Sequence, residues 1–323
     1  VNNSFENNVE YAYDADAYGF TLLAENNFFT STVGNTISLA NGTLTDVDST
    51  FYTNRTYKLG TITAPPTVTV VIEPGAVLKF ATVSSGLVVQ GELIAGNQSA
   101  APAILTSWLD DSVGGDSNYD QSDTIPGPGD WKNIELGDGV NATFENVILR
   151  YGGRSKAILY APKNSQVSLD SCIVSNSNTS GIVMNSPSGG FYTANLIVNA
   201  STIADNKANG ILMDAYEKTS EPGAGAGENN LTISDSIIAN NDTNGIKIDL
   251  TSSATVSSSD IYGNFTRGID ASDSAHVIAT GNWWGDASGP YDVDDNDPNG
   301  DGDRVTNNVR VDPWAITPLH SLL

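Results

Sequence analysis

Four segments of the chain share one pattern of apolar and polar positions. They align without gaps and begin at Val167, Leu196, Leu231 and Ala254. Each opens with alternating apolar and polar residues, continues through a second short apolar run and a polar turn, and closes on glycine before further apolar residues. A period of two indicates strands with one buried face, because successive side chains point to opposite sides. A fifth segment, from Ala275, fits with a slip of one residue.

The closing glycines set the length of the repeat, with spacings of 29, 35 and 23 residues between Gly181, Gly210, Gly245 and Gly268. Three short strands and three turns need about twenty residues, which is one coil of a β-solenoid. The remaining length must lie in one turn of each coil. We expect the glycine and its neighbouring asparagine to take the left-handed backbone of tight corners, and the asparagines of successive coils to form a hydrogen-bonded ladder.

Drifted copies of the pattern cover residues 68–106 and 143–160, whereas the pattern weakens between Asn41 and Pro66. Residues 1–40 also follow the pattern of a coil. We therefore predict an N-terminal partial β-helical or strand segment and connector (1–66), a parallel β-helix (67–292), and an acidic loop with a capping tail (293–323). Trp283, Trp284 and Trp314 follow the last coil, and we predict that they form an aromatic cap over the open core.

Composition narrows the class of protein. The 323 residues carry a net charge of −24, which disfavours nucleic acid as a partner, and no apolar run is long enough to cross a membrane. The single cysteine, Cys172, lies in an apolar run and is predicted to be a small core residue. Ten Asn-x-Ser/Thr motifs favour a glycosylated extracellular or cell-surface protein; they begin at Asn2, Asn41, Asn54, Asn97, Asn141, Asn178, Asn199, Asn230, Asn241 and Asn264.

These coils resemble the right-handed parallel β-helix repeat proteins of the pectin-lyase-like superfamily. Three stretches are similar to an extracellular subset found in large microbial surface proteins: VIEPGAVLKF with its following strands, the loop from Asp110 to Asn118 with Gly129-Asp130-Trp131, and the NWWG…GP…DPW ending. The resemblance implies an all-β, right-handed parallel β-helix. It leaves function open, because superfamily members include lyases, hydrolases, adhesins and stalks.

Calcium is the cofactor that the acidic loops predict, in a structural role. Alternate oxygen-bearing side chains on a turn can surround a hard cation. One such run comprises Asp295, Asp297, Asn299, Asp301 and Asp303, and a second comprises Asp116, Asn118 and Asp120. The first lacks the glutamate that completes an EF-hand loop, and the second has Gln121 where that loop has glycine.

Two functions remain open. Arg150, Arg154 and Lys156 form the one basic cluster, and a calcium-dependent polysaccharide lyase would need such a base, while a glycoside hydrolase would need converging carboxylates. The Gly-His-Gly segment of polygalacturonase-like enzymes is absent. We therefore expect a non-catalytic extracellular structural protein, the subunit of a filament, stalk or adhesin. Its expected partners are other copies of itself, assembled head to tail, and surface or matrix glycans.

Overall fold

The structure is a computed structural model of the chain. It describes residues 3–5, 13–15, 27–29, 36–45, 47–98, 101–121, 123–186, 192–215, 227–250, 252–292 and 300–321. Among these residues no helix has the length and apolar character needed to cross a membrane.

All regular structure in the described residues is β-strand, and most strands are three to five residues long. The first eleven are β1 (Asn3–Phe5), β2 (Tyr13–Ala15), β3 (Asn27–Phe29), β4 (Thr36–Leu39), β5 (Gly42–Thr43), β6 (Asp48–Phe51), β7 (Thr56–Leu59), β8 (Thr61–Ala64), β9 (Thr69–Ile72), β10 (Val77–Phe80) and β11 (Gly86–Val89). The next eleven are β12 (Glu92–Gly96), β13 (Ala103–Ser107), β14 (Ile134–Leu136), β15 (Asn141–Glu145), β16 (Val147–Arg150), β17 (Ala157–Pro162), β18 (Gln166–Asp170), β19 (Ile173–Ser175), β20 (Ser180–Ser186), β21 (Thr193–Asn199) and β22 (Thr202–Ala204). The last eleven are β23 (Ile211–Ala215), β24 (Glu228–Ser234), β25 (Ile237–Ala239), β26 (Asn244–Ile248), β27 (Ser253–Ser257), β28 (Asp260–Tyr262), β29 (Arg267–Ala271), β30 (His276–Ile278), β31 (Tyr291–Asp292), β32 (Arg304–Val305) and β33 (Val309–Arg310).

The strands form three long parallel sheets, which we call sheets I, II and III, and β1 pairs separately with β3. Sheet I has the order β2-β4-β7-β10-β13-β16-β19-β22-β25-β28. Sheet II runs β5-β8-β11-β14-β17-β20-β23-β26-β29-β32-β31, and sheet III runs β6-β9-β12-β15-β18-β21-β24-β27-β30-β33. Each coil passes from sheet III to sheet I to sheet II, so every third strand is a neighbour. The predicted all-β parallel solenoid is confirmed.

The adjacent prolines at 65 and 66 mark a turn within this stack. Strands β7 and β8 precede them and strands β9 and β10 follow them, all in the same three sheets. This corrects the predicted boundary at residue 66, because one β-helix already includes β4. The predicted end at residue 292 also moves, since β32 and β33 extend sheets II and III to Arg310.

Stacked aliphatic side chains fill the core. Leu169, Val198, Ile233 and Val256 occupy one in-register column of sheet III, and all four are buried. Cys172 is buried beside them, which confirms its prediction as a core residue, and burial raises the pKa of its thiol to about 11. Removing each such side chain from water contributes about 1.5–3 kcal/mol, so the column contributes to the cohesion between coils.

A ladder of buried asparagines runs along the corner between sheets I and II. Asn206 donates through Nδ2 to Oδ1 of Asn241 (2.9 Å), Asn241 donates likewise to Asn264 (2.9 Å), and Asn264 donates to Oδ2 of Asp303 (2.8 Å). Each side-chain oxygen also accepts the backbone N–H of the preceding ladder residue. The ladder satisfies corner donors that the sheets leave unpaired, as the repeated asparagines predicted.

A second ladder of buried serines runs along the corner between sheets III and I. The hydroxyls of Ser201, Ser236 and Ser259 accept the backbone N–H groups of Cys172, Ser201 and Ser236, at 2.9–3.1 Å. Each serine also donates to the carbonyl two residues before it, at 2.7–2.8 Å. Each hydroxyl therefore makes two hydrogen bonds: it donates to a carbonyl of its own coil and accepts a backbone N–H of the preceding coil.

The closing positions require glycine for a different reason from the one predicted. Gly181, Gly210 and Gly245 do not take a left-handed φ; a Cβ on any of them would lie 2.6–2.8 Å from a carbonyl oxygen of the next coil. The left-handed corners fall instead mostly on residues with side chains, such as Asn176, Ala200 and Asp205. Close approach of neighbouring coils therefore explains the repeated glycine.

The asparagine ladder predicts a large effect of a single buried substitution. Asn241→Ala removes the acceptor of the backbone N–H and of one Nδ2 hydrogen of Asn206, so we expect a loss of about 3 kcal/mol in the free energy of unfolding. The matched control is Asn230→Ala, which removes an exposed asparagine and should cost less than about 1 kcal/mol. Chemical denaturation followed by circular dichroism measures both, and equal losses would contradict the ladder's role.

Candidate functional site

The longest described connection, residues 108–133, joins β13 to β14 and covers sheet I. Trp131 fastens its far end: the indole stacks on Phe80 with ring centroids 4.3 Å apart, and Nε1 donates to the carbonyl of Arg150 at 2.9 Å. Its middle is fastened by Lys79, whose buried amine donates to the carbonyl of Gly115 at 2.8 Å and to the hydroxyl of Ser117. Burial lowers the pKa of Lys79 to about 8.

Asp110 and Arg150 anchor the start of this loop. Arg150 contacts Oδ2 of the buried Asp110 through Nη2 at 2.7 Å and Nε at 2.9 Å. Burial alone would raise the pKa of Asp110, but hydrogen bonds from Ser112 and Thr106 and the charge of Arg150 hold it below its usual value. Asp110 is therefore a paired structural carboxylate.

Three other carboxylates of the loop converge. One oxygen from each of Asp111, Asp116 and Asp120 lies within 4.8 Å of the others, the one such metal-sized group of acidic, histidine or cysteine side chains among the described residues. The oxygens of Asp116 accept the backbone N–H groups of Asp120 (3.2 Å) and Gln121 (3.1 Å), which close the turn. Gln121 has φ 56°, so it takes the left-handed conformation for which a calcium loop uses glycine.

Three buried oxygens in this cluster have no hydrogen-bond partner: both carboxylate oxygens of Asp111 and Oδ1 of Asn118. Burial, followed by the charge of Asp116, raises the pKa of Asp111, although the charge of Lys79 and the backbone N–H of Ser117 oppose this shift. Uncompensated buried oxygens are costly, and a hard cation with oxygen ligands would relieve both the desolvation and the mutual repulsion. The donor set therefore fits calcium. The sequence predicted Asp116, Asn118 and Asp120 as ligands, and the structure adds Asp111.

The family comparison adds to this geometry. A family model described as a right-handed beta helix region matches residues 215–311. The chain is a right-handed parallel β-helix. No curated protein and no solved structure matches it. The three parallel sheets and this match agree with the resemblance to the pectin-lyase-like superfamily.

The predicted calcium loop near the C-terminus of the β-helix is only partly described. Asp295, Asp297 and Asn299 lie outside the described residues. Asp303 points inward and ends the asparagine ladder, where Oδ2 accepts both the Nδ2 (2.8 Å) and the backbone N–H (3.0 Å) of Asn264. The exposed Asp301 instead donates its own backbone N–H to the hydroxyl of Ser288. This corrects the prediction of Asp303 as a calcium ligand.

The three predicted cap tryptophans all lie at the last coil of the β-helix. Trp284 is fully buried in the core, Trp283 bridges to Asp260 of the last strand of sheet I, and the ring of Trp314 covers Gly289. The tail behind them is held by the fully buried Asp260, which accepts the backbone N–H groups of residues 319 and 320 at 2.9 and 2.8 Å. That these side chains stabilise the end of the core stays a prediction.

The glycosylation motifs divide into buried and exposed groups. Asn241 and Asn264 are buried, and their Nδ2 atoms donate within the ladder. A glycan on either nitrogen would disrupt the ladder, so these two motifs are corrected to structural positions. Asn2 lies outside the described residues. The other motifs begin at exposed or half-buried asparagines, namely Asn41, Asn54, Asn97, Asn141, Asn178, Asn199 and Asn230, and remain predictions.

Sequence reasoning missed a row of carboxylates on the outer face of sheet II. Asp214 and Asp249 lie in the same column on successive coils, and Asp270 lies in the next column beside Lys247. Burial raises the pKa of Asp214 and of Asp249, and the charge of Lys247, whose Nζ is 3.8 Å from Oδ1 of Asp249, opposes the shift in both. The variable coil length hid this row, because 35 residues separate the two aspartates.

The predicted basic cluster is split by the fold. Arg150 pairs with Asp110, whereas the amine of Lys156 contacts Glu135 at 2.9 Å on sheet II and lies over the ring of Tyr160. Arg154 is exposed, and its backbone N–H donates to the carbonyl of Trp131. The three side chains therefore do not converge on one point.

The raised pKa of Asp303 predicts that the stability of the protein depends on pH. Burial raises its pKa from 3.8 to about 6, so the protonated form stabilises the fold fully below pH 4 and this contribution is lost as the pH rises through 6. Asp303→Asn keeps the acceptor without the charge, so it should add about 1–2 kcal/mol to the free energy of unfolding at pH 7.5 and nothing near pH 3.5. Denaturation across this pH range, with the exposed Asp301→Asn as control, measures it. A gain independent of pH would contradict the assignment.

Proposed function

We propose that this β-helix is a non-catalytic extracellular structural protein, the subunit of a cell-surface filament or stalk. The supporting observation is the pair of side-chain ladders that bond successive coils along the axis, from Cys172 and Ser177 to Asp303. With about 4.8 Å between coils, the ten strands of sheet I span roughly 45 Å. Axial hydrogen bonds and in-register packing make such a stack stiff along its length. The acidic surface suits a protein that stays soluble at high local concentration.

Head-to-tail assembly is the mode of association that we favour. The C-terminal end of the stack offers the two-residue strands β31 and β33, which are too short to template a long strand from another molecule. Ile316 and Leu319 of the tail at this end are 68% and 45% exposed. We propose that the first coil of the next subunit packs on these side chains, because a heterologous contact of this kind produces a filament when it does not close into a ring.

We also propose that calcium binds at Asp111, Asp116 and Asp120 and stabilises the loop over sheet I. The unpartnered oxygens of Asp111 and Asn118 support this proposal. In the β-helix the ion would fix a loop that Lys79 and Arg150 already fasten at two other points, so its role would be to stiffen the rod.

Calcium should therefore stabilise the protein through Asp111. We expect calcium at about one hundred times its Kd to raise the free energy of unfolding by about 2.7 kcal/mol, and a chelator to reverse the gain. Asp111→Asn should abolish the gain while leaving the calcium-free protein as stable or slightly more stable, because it removes a buried like charge. Thermal unfolding with and without calcium tests this. Asp123→Asn, an exposed change in the same loop, is the control; identical calcium responses of both variants would refute the site.

A glycoside hydrolase is the second candidate function, and the Asp214–Asp249 pair favours it. Hydrolysis needs two carboxylates on one face, one of them with a raised pKa, and the outer face of sheet II has this arrangement. A lyase has less support, because Arg150, a candidate for the base, forms an ion pair with Asp110. We favour the structural role since an amide of Asn185 already holds Asp214 at 2.6 Å.

Two measurements on the same protein separate these functions. Negative-stain electron microscopy should show filaments with an axial repeat of a few nanometres, and incubation with neutral and acidic polysaccharides should release no reducing ends or unsaturated products. Dispersed monomers would contradict assembly. Turnover that is lost in both Asp214→Asn and Asp249→Asn, but kept in the exposed Asp123→Asn, would replace the structural role with the hydrolase.

A further inference from the structure

The edge of the rod between sheets I and II, which we call the I–II edge, carries one exposed turn residue per coil beside the asparagine ladder. The backbone N–H of each of these residues donates to a carbonyl of the preceding coil at 2.8–3.0 Å, so they are stacked in register. Successive members are therefore about 4.8 Å apart along the axis. In chain order they are Asn178, Lys207, Asp242 and Phe265.

The row begins at a cluster of positive charge. Arg154 and Lys156 lie in the turn between β16 and β17, one coil before the first member of the row. Arg154 is exposed, and its guanidinium forms no ion pair with any described residue. The amine of Lys156 shares the carboxylate of Glu135 with Lys132, at 2.9 and 3.5 Å. Two amines thus share one carboxylate, and Arg154 adds a further positive charge.

The row ends at a pair of exposed carboxylates, Asp286 and Asp301, in the last coil. The hydroxyl of Ser288 joins them, because it donates to Oδ1 of Asp286 at 2.6 Å and accepts the backbone N–H of Asp301 at 2.9 Å. The hydrogen bonds from Ser288 also lower the pKa of Asp286. Neither carboxylate forms an ion pair with a described residue, and Arg304 lies over a tyrosine ring of sheet II. This end of the edge is therefore negative.

The order of charges along the I–II edge is complementary to its own reverse. From the first cluster to the last it is positive, neutral, positive, negative, neutral and negative, over five coils or roughly 24 Å. Two edges laid antiparallel would therefore place opposite charges together at every charged position. At the centre, Lys207 would face Asp242 of the second copy, and within one copy these two side chains already pair at 3.1 Å. A ring of four alternating charges would result.

We propose that two copies of this protein pair side by side and antiparallel along their I–II edges. The contact is isologous, so the positive cluster of each copy meets Asp286 and Asp301 of the other. Asn178 faces Phe265, whose exposed ring is then covered. A uniformly anionic partner would be repelled by Asp242 and by the carboxylates of the last coil, which is why a second copy fits this edge better.

The overall charge of −24 sets the conditions for pairing. At physiological salt the Debye length is about 8 Å, so repulsion between distant parts of the two rods is screened, whereas charges in contact still attract. A narrow edge buries little area, and we expect a weak, reversible association. Pairing uses the side of the rod, so it does not depend on head-to-tail assembly, and it would join filaments as well as single subunits.

Zero-length carbodiimide cross-linking followed by mass spectrometry tests the geometry. The reagent joins an amine only to a carboxylate that it contacts, whereas Lys156 and Asp301 of one copy are about 24 Å apart. A cross-link of Lys156 to Asp301 or Asp286 must therefore join two copies. We expect it at 0.15 M salt and expect its loss at 1 M salt. The protein is produced without glycans, because Asn178 lies in the contact.

Charge reversal and mixing test the pairing itself. Arg154→Glu with Lys156→Glu should weaken pairing at least tenfold in analytical ultracentrifugation, and so should Asp286→Asn with Asp301→Lys. An equimolar mixture of the two variants should pair again, since both contacts become favourable.

The control is Lys163→Glu with Arg310→Glu, which changes the net charge as much as the first variant but away from the I–II edge. It should pair like the wild type. Arg154 and Lys156 are remote from the ends of the rod, so the first variant should still form filaments in electron microscopy, now unpaired. This observation separates a failure of pairing from a failure of head-to-tail assembly.

Four results would overturn the proposal: no cross-link between the two clusters at 0.15 M salt, undiminished pairing by either reversed variant, no pairing in their mixture, or an equal loss in the control. The last result would show that net charge alone governs the association.

Discussion

The constraint on which this molecule depends is that the corner of every coil must satisfy its backbone hydrogen bonds inside a narrow core. Sheets pair the strands, but each corner leaves N–H groups and carbonyls that water cannot reach. Asn206, Asn241 and Asn264 supply the missing partners at one corner, and Ser201, Ser236 and Ser259 supply them at another. Because each side chain bonds to a neighbouring coil, the same contacts that satisfy the corners also fix the register of the stack.

That fixed register creates the surfaces on which function depends. Equivalent outward positions stack in straight columns, so a residue type that recurs in the sequence becomes a continuous feature of the surface. The uncharged columns on the outer face of sheet III and the carboxylate row of sheet II arise in this way. Segments that lie outside the stacked coils must be held by other contacts. The loop of residues 108–133 leaves the stack, and it is held by Trp131, Lys79 and Arg150 instead.

Much of the fold could be predicted from the sequence, because strand alternation and repeated Asn and Gly are local signals. The strands of residues 68–278, the asparagine ladder and the burial of Cys172 follow from them. The early coils were predicted as a separate partial segment because Pro65 and Pro66 resemble a break, although a turn between two strands accepts them. The structural reason for glycine at position 181 could not be deduced either, since it is the close approach of the Gly210 carbonyl in the next coil.

The candidate sites were predictable only where their residues are close in sequence. Asp116 and Asp120 are four residues apart, and their spacing pointed to a cation. The alignment of Asp214 with Asp249 depends on how many residues each coil inserts, which no local pattern encodes. Asp303 shows the same limit: its spacing suggested a metal ligand, whereas its position in the stack makes it the last member of a ladder.

The most direct test of this account is native-state hydrogen exchange, read out at individual corner amides. If the ladders hold the stack together, the backbone N–H groups of Ser201, Asn206, Ser236 and Asn241 will exchange as slowly as those in the centres of the adjoining strands, through the same cooperative opening. Fast exchange at these corners, with the strands still protected, would contradict it: the sheets alone would then hold the coils, and the ladders would be incidental.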